Sequence, residues 1–193
     1  MLNMKKAVPG VVVSGLPGSG KTTFVELLSW DFAMPVYSVG KFWRDKWAKL
    51  YPNGEVPFHD YWGARSYEEN LAANMNLKSL VEEQGYVLDT RYADFYDSTK
   101  CLKIFITAPI EVRAARVAKR EEYAGKPADE IIGILRKREA DERRTGIELC
   151  GTDYTDKSGY HVIIDTSKTT LTKELNMIKP IMYDLSIWLN DRE

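Results

Sequence analysis

The chain has 193 residues, of which 44% are hydrophobic and 28% charged, so it is long enough for one compact domain with an inserted lid, and its composition excludes wholesale disorder. Lys and Arg sum to 27 and Asp and Glu to 28, which gives a net charge of -1. This charge balance excludes a protein that binds nucleic acid through a large overall positive charge.

Five short apolar runs alternate with segments of helical spacing along the chain. Strands are predicted at residues 11–13, 35–38, 86–90, 102–107 and 161–165. Helices are predicted at residues 23–30, from 40 onward, at 66–83, 109–120 and 127–144, and from 171 onward. Because strands of this kind alternating with helices build a parallel sheet covered on both faces, the sequence predicts one α/β domain.

Several local signals refine this outline. The stretch 51–65 contains two prolines and two glycines and is predicted to be a loop. Ser66 and Glu69 have the spacing of a capping box at a helix start. Pro180 interrupts the last apolar pattern, so we expect it to kink that helix or to mark a join.

Cysteine content and hydropathy predict the cellular compartment. Cys101 and Cys150 lie far apart and in no metal-ligand spacing, which argues against a disulfide framework or a zinc site and favours a reducing compartment. No run approaches 18 apolar residues, and residues 1–9 lack the apolar centre of a signal peptide. We therefore expect a cytoplasmic domain that binds no membrane.

A glycine-rich segment between the first strand and the first helix is the strongest motif. It reads Gly15-Leu16-Pro17-Gly18-Ser19-Gly20-Lys21-Thr22 and fits the pattern G-x-x-x-x-G-K-[ST] at every position. The glycines let backbone N–H groups converge on phosphates, and the following helix adds its N-terminal dipole. Lys21 would reach the β- and γ-phosphates of ATP, and the Thr22 hydroxyl would bind Mg²⁺. We call residues 15–22 the phosphate loop, and Thr23 extends the predicted nucleotide contacts.

A phosphate loop by itself is compatible with kinases, GTPase switches and motor ATPases. The chain contains no guanine-specifying N-K-x-D segment, and the D-x-x-G at residues 156–159 comes too late to end a switch strand. The chain is also too short for the extra domains that couple hydrolysis to mechanical work. These observations favour a kinase.

The distribution of arginine supports phosphoryl transfer. Seven of the eleven arginines lie in one segment: Arg113, Arg116, Arg120, Arg136, Arg138, Arg143 and Arg144. Guanidinium groups suit a transition state whose negative charge is spread over the moving phosphoryl group. Each of these residues alone could belong to a solvated, salt-bridged helix, since acidic residues are interleaved. Together with a phosphate loop, the segment predicts a mobile arginine-rich lid.

Polar residues follow two of the predicted strands. Arg44 comes shortly after the second strand, and Asp89 and Arg91 stand at the end of the third. Ligands of open α/β sheets bind at this edge. The sequence therefore places Asp89 in the Mg²⁺ shell, with a turn or helix-cap carboxylate as the alternative. We expect the first three arginines of the lid segment (113, 116 and 120) to share a helix face.

These residues resemble the nucleoside monophosphate kinases, and most closely the archaeal-type cytidylate kinases, over nearly the full length of the chain. The matching segments are GLPGSGKTT at 15–23, SVGKFWR at 38–44, VLDTR at 87–91, TAPIEVR at 107–113 and IDTSK at 164–168. The resemblance implies a P-loop kinase fold with a five-stranded parallel sheet and transfer of the ATP γ-phosphoryl group to CMP or dCMP. It implies a single domain, residues 1–193, with an acceptor segment at about 40–84 and a lid at about 120–158.

The resemblance also implies roles for individual residues. The acceptor nucleotide would be held by Ser38, Gly40, Arg44 and Arg91. Catalysis would involve Lys21, Arg91, Arg138, Arg143 and Arg144, with the last three closing over the site from the lid. ATP and Mg²⁺ are the expected cofactors, a small-molecule nucleotide is the expected partner, and a monomer is favoured over an oligomer.

The chain departs from the family pattern mainly around the acceptor. Lys41 replaces an acidic residue, Asp89-Thr90 replaces Glu-Gly, and residues 51–70 are rich in aromatic side chains where the family runs acidic. These departures leave two alternatives, a P-loop kinase for another small molecule or nucleotide and a non-catalytic ATP-binding protein. Trp43, Trp47 and Trp62 could stack on a base or serve as core packing.

Overall fold

Five parallel strands form one sheet in the order β2-β3-β1-β4-β5. The computed structural model describes residues 9–81, 85–96 and 101–190, so the predicted helix end at residue 83 and the first eight residues lie outside the described part of the chain. The strands are β1 Gly10–Gly15, β2 Val36–Ser38, β3 Val87–Asp89, β4 Cys101–Thr107 and β5 Val162–Asp165. The predicted parallel α/β sheet is confirmed.

Helices cover both faces of this sheet. They are α1 Lys21–Phe32, α2 Val39–Leu50, α3 Phe58–Gly63, α4 Tyr67–Leu80, α5 Ile110–Val117, α6 Ala128–Cys150 and α7 Leu171–Asn190. Short 3₁₀ turns occupy Ala93–Phe95, Glu121–Tyr123 and Lys157–Gly159. No helix in the described ranges is long and apolar enough to cross a bilayer.

The central strand β1 is buried on both faces. Val11 and Val13 point into the cluster formed with α1 and α7, where Leu28 and Ile178 have no exposed surface. Val12 points to the opposite face. This alternation follows from the two-residue period of a strand, and it explains why β1 is continuously apolar.

The prediction of a loop over residues 51–65 is wrong in its middle, because α3 lies there. Phe58, Tyr61 and Trp62 of this helix pack against Trp43 of α2, which is 1% exposed. The burial of four large rings stabilises a turn of helix that the flanking prolines and glycines alone would not favour. Helix α3 thereby forms one wall beside the sheet edge.

Two helix boundaries near the lid differ from the prediction. Helix α5 ends at Val117 instead of at residue 120, so Arg120 does not share a helix face with Arg113 and Arg116, and that prediction is wrong. Helix α6 continues to Cys150, six residues beyond its predicted end, and stops where Gly151 adopts a φ of 72°. The predicted lid segment is thus mostly one long helix.

The start of α4 and the course of α7 test two further local predictions. The capping box is present, since the Glu69 backbone N–H donates to Ser66 Oγ and the Ser66 N–H donates to the Glu69 carboxylate, both at 3.2 Å. Helix α7 runs without a break through Pro180, so Pro180 does not mark a join.

Gly15 at the end of β1 is expected to tolerate no side chain. Its φ is 150°, and a Cβ would lie 2.2 Å from the carbonyl oxygen of Ile106 on β4. Because a backbone atom in the sheet cannot move away, we expect Gly15→Ala to lower the free energy of unfolding by about 3 kcal/mol. Thermal or urea unfolding measures this, with Gly133→Ala in α6 as the control.

The control sits in open space, since a Cβ at Gly133 meets no atom within 4 Å. The control substitution Gly133→Ala should raise the free energy of unfolding by up to about 1 kcal/mol. Equal melting temperatures for the Gly15→Ala variant and the parent would contradict the close approach of β1 and β4.

Candidate active site

A cavity of about 390 Å³ opens where β1, β2 and β3 end. Its floor is the phosphate loop, and one side is formed by Ser38, Gly40 and Arg44 at the start of α2. Asp89 and Arg91 enter from the end of β3. The carboxyl edge of the sheet therefore gathers residues from three separate predicted motifs.

The phosphate loop turns directly from β1 into α1. Gly18 and Gly20 have φ values of 79° and 94°, a region that glycine adopts without strain. At Gly18 a Cβ would also lie 2.9 Å from the Val117 side chain. Helix α1 begins at Lys21, so the N-terminal end of its dipole points at the loop. Backbone N–H groups and a helix terminus together make a site for phosphate groups.

Two arginines of α5 hold this loop from behind. Arg113 Nη1 donates to the carbonyl oxygen of Pro17 at 3.1 Å, and Arg116 Nη1 donates to that of Ser19 at 3.0 Å. Arg113 also forms an ion pair with Glu139 of α6. Neither arginine lines the cavity. Their contacts show that they shape the loop.

Lys21 and Asp89 meet inside the cavity. Lys21 Nζ forms an ion pair with the Asp89 carboxylate and donates to the Thr90 carbonyl oxygen at 3.3 Å. Ser38 Oγ donates to Asp89 Oδ2 at 3.1 Å. Burial lowers the pKa of Lys21 well below its ordinary value, and the positive charge of Arg91 lowers it further. Negative phosphates beside Lys21 would favour its charged form.

The donor set near the loop fits a magnesium ion that is held mainly by phosphates. Thr22 and Asp89 both line the cavity, and they supply one hydroxyl and one carboxylate. In the described ranges no group of three or more His, Cys, Asp or Glu side chains could hold a metal by itself. Mg²⁺ suits such a site, because it keeps several waters and takes one or two protein ligands besides substrate phosphates.

Five arginines line the cavity and make it a site for anions. They are Arg44, Arg65, Arg91, Arg120 and Arg138. Burial, followed by the neighbouring charge of Arg138, lowers the pKa of Arg44. Arg91 Nη1 is buried and has no hydrogen-bond partner among the described residues. A buried donor without a partner is costly, and a phosphate oxygen would satisfy it.

The predicted lid arginines separate in the structure. Arg138 lines the cavity, whereas Arg143 and Arg144 do not. Arg143 pairs with Asp153, and Arg144 pairs with Asp141. The Arg143 and Arg144 side chains are 55% and 64% exposed, so the structure places them on the solvent side of α6.

Sequence reasoning missed Arg65 as a site residue. Its guanidinium lies 3.7 Å from the centroid of the Trp62 ring and 4.6 Å from that of Trp43, while its Nε donates to the Trp62 carbonyl oxygen at 2.8 Å. Burial lowers the pKa of Arg65 to about 10. The available signal was an arginine inside residues 51–70, the aromatic stretch that departs from the family pattern.

Arg120 and Glu142 were also missed. Arg120 lines the cavity and was already visible as a member of the arginine cluster. Glu142 is 1% exposed and forms ion pairs with Arg91 and Arg138. No sequence signal distinguishes it from the other acidic residues of α6, because its importance comes from contacts with another part of the chain.

The three tryptophans have different positions. Trp43 is buried in the cluster with α3, and Trp47 Nε1 donates to the Val56 carbonyl oxygen at 2.7 Å. Trp62 is half-buried and lines the cavity together with Phe58. Core packing therefore accounts for Trp43, while Trp62 lines the cavity with the Arg65 guanidinium against its ring.

Comparisons with known proteins agree with this geometry. The cytidylate kinase-like family matches residues 45–168. A cytidylate kinase of Pyrococcus abyssi is 34% identical, with 86% of this chain and 88% of the relative covered. A cytidylate kinase of Methanopyrus kandleri is 30% identical over 88% of this chain and 90% of its own. The solved structure of a gluconokinase from Sinorhizobium meliloti shares the fold, with a TM-score of 0.61, 13% identity and coverage of 98% and 99%.

Proposed function

The chain belongs to the cytidylate kinase-like family, and from this membership we propose that it transfers the γ-phosphoryl group of ATP to a nucleoside monophosphate, CMP or dCMP, giving the diphosphate and ADP. The observation that carries the proposal is the shared cavity, in which the phosphate loop faces Arg44, Arg91 and Arg138. A phosphate donor and a phosphate acceptor would meet between these two groups of positive charge.

On the donor side, the phosphate loop and the start of α1 would hold the β- and γ-phosphates of ATP. Lys21 would leave Asp89 and turn its charge to the phosphates. Mg²⁺, with Thr22 and Asp89 near it, would neutralise charge on the same oxygens. Phosphoryl transfer of this kind needs positioning and electrostatic stabilisation more than acid-base chemistry.

On the acceptor side, Ser38, Gly40, Arg44 and Arg91 would hold the monophosphate, since all four line the cavity beside the loop. Arg138 would bind the moving phosphoryl group as its charge spreads in the transition state. Closure of the predicted lid would exclude water and so prevent hydrolysis of ATP.

The test is a coupled assay of ADP release with Mg-ATP and CMP, dCMP, UMP, AMP, GMP or no acceptor. Turnover with CMP and dCMP, and little without an acceptor, is the expected result. Binding of ATP with no turnover on any nucleotide would contradict the proposal.

A second candidate is a P-loop kinase for another small anion. Arg65 carries it, because its guanidinium is held by aromatic rings and forms no ion pair with a described carboxylate. A ligand carboxylate would fit this group as well as a base edge. The same assay with small sugar acids separates the candidates, and a protein that only binds ATP would release no ADP in either series.

Removal of the Arg65 side chain is expected to weaken acceptor binding. A hydrogen bond to a charged group contributes about 1.5–3 kcal/mol, so Arg65→Ala should raise the acceptor KM by roughly 10- to 100-fold and leave the KM for ATP unchanged. Steady-state kinetics with each substrate varied in turn measures both constants.

The matched control for this variant is Arg136→Ala on α6, an exposed residue that does not line the cavity. It should leave both KM values unchanged. An acceptor KM unaffected by Arg65→Ala would remove Arg65 from the acceptor site.

We further propose that the enzyme acts as a cytoplasmic monomer. The residues assigned to donor and acceptor line one cavity within a single protomer. Light scattering after gel filtration would test the monomer, for which a single species of about 22.1 kDa is expected.

A further inference from the structure

Glu142 is a buried carboxylate in the middle of α6. Its side chain has no exposed surface and accepts three hydrogen bonds. The donors are Arg91 Nε at 2.8 Å, Arg138 Nε at 2.9 Å and the Tyr154 hydroxyl at 3.1 Å. A charge taken out of water is costly, and hydrophobic residues could fill the same space at lower cost. The position of Glu142 therefore points to a use for its charge.

The two arginines reach Glu142 in the same way. Each donates through Nε, which leaves the η nitrogens of both side chains for other contacts. Arg91 and Arg138 both line the cavity, and Arg91 Nη1 has no partner among the described residues. One carboxylate thus orients two guanidinium groups whose remaining donors are available to a ligand.

The charged state of Arg91 also depends on Glu142. For Glu142 itself, burial is the largest single influence and would raise its pKa, but the charges and hydrogen bonds of Arg91 and Arg138 together hold the pKa below its usual value. Burial likewise opposes the charge on Arg91, and Glu142 is the largest influence that raises the pKa of Arg91. Without this carboxylate, Arg91 and Arg138 would repel each other across the cavity.

We propose that Glu142 is a positioning residue that joins Arg91 at the end of β3 to Arg138 on α6, so that both guanidinium groups converge on the phosphoryl group in transit. It acts through the arginines and does not contact substrate. This proposal rests on the proposed function for the reaction at which the arginines converge, while their attachment to Glu142 is independent of it.

The kinetic test compares Glu142→Gln with Tyr154→Phe. The glutamine keeps the size of the side chain but loses the charge, and we expect kcat to fall about 100-fold, as for a misplaced catalytic group, with the KM for ATP within about threefold. Tyr154→Phe removes the third hydrogen bond and leaves both arginine contacts in place, so kcat should change less than about threefold. An equal loss of kcat in both variants would overturn the proposal, because burial alone would then explain Glu142.

A double-mutant cycle tests whether Glu142 acts through Arg138. In an Arg138→Ala background, Glu142→Gln should lower kcat much less than it does in the parent, because one of its two targets is absent. Fully additive losses would overturn the proposal. Glu142→Asp, which keeps the charge on a shorter side chain, should restore part of the lost turnover and provides a second variant if the glutamine protein folds poorly.

Nuclear magnetic resonance of the arginine Nε–H groups gives a readout that needs no activity. Hydrogen exchange at the Nε of Arg91 and Arg138 should be slow in the parent and at least tenfold faster in Glu142→Gln. Arg116 Nε serves as the internal reference and should not change. Unaltered exchange at both sites would overturn the proposal. Slow exchange in a parent that phosphorylates no nucleotide would overturn the proposed function while supporting the attachment of the arginines to Glu142.

Discussion

Replacement of Lys21 by methionine is expected to lower kcat about 1,000-fold and to change the affinity for ATP by less than about tenfold. Lys21 Nζ lies in the cavity between the phosphate loop and Asp89, where the β- and γ-phosphates would sit. Its charge is needed most when negative charge develops on the transferred group. The backbone N–H groups of the loop remain in the variant, so ATP binding should largely persist.

Steady-state kinetics and calorimetric titration with Mg-ATP measure these two quantities. Lys41→Met is the matched control, since Lys41 lines the same cavity but is 73% exposed and pairs with Asp45 at the surface. It should change kcat less than about threefold, as surface ion pairs contribute little. A Lys21→Met enzyme with near-normal kcat would contradict the role given to the loop lysine.

Local sequence patterns were sufficient to predict most of the strands and helices. Each of these elements buries one or both of its faces, and this burial gives its apolar residues a regular spacing. The apolar residues 11–13 predicted β1 directly, and Ser66 with Glu69 predicted the start of α4. Helix α3 was missed because its stability comes from packing against the rings of the preceding helix α2, which the spacing within residues 51–65 does not record. The sheet order β2-β3-β1-β4-β5 likewise depends on pairings between segments that no local pattern records.

Site residues that are adjacent in the sequence were predicted, whereas some of those that only the fold brings together were not. The phosphate loop is contiguous, so its eight residues were identified together. Glu142 and Arg65 were not identified, because the first is defined by its contact with Arg91, just after β3, and the second by rings from α2 and α3. In a dense run of charged residues, the sequence alone does not distinguish a buried carboxylate from an exposed one.

Helix geometry explains why Arg138 reaches the cavity and Arg143 and Arg144 do not. Successive residues of a helix are about 100° apart, so Arg138 and Glu142 lie on one face at positions i and i+4. Arg143 and Arg144 follow Glu142 by one and two residues and turn toward Asp153 and solvent. Arginines on the same helix α6 therefore differ in their access to the cavity.

Arg138→Ala is accordingly expected to lower kcat at least about 1,000-fold, as for removal of an arginine that stabilises the transferring phosphoryl group. Arg143→Ala and Arg144→Ala should each change kcat less than about threefold, because they lose only exposed ion pairs. All three variants lie on one helix and make the same substitution. Parallel kinetics and melting curves therefore separate access to the cavity from any general effect on α6.

A large loss of turnover in Arg143→Ala or Arg144→Ala would indicate that α6 moves. If Arg143→Ala or Arg144→Ala lost as much turnover as Arg138→Ala, the ion pairs with Asp153 and Asp141 would have to break during catalysis, and α6 would have to rotate or shift to bring a second arginine into the cavity. Such a movement would carry Glu142 along, since the same helix holds the carboxylate, and its contact with Arg91 would have to re-form in the closed state. The three alanine variants therefore decide whether α6 stays in place or moves when the lid closes.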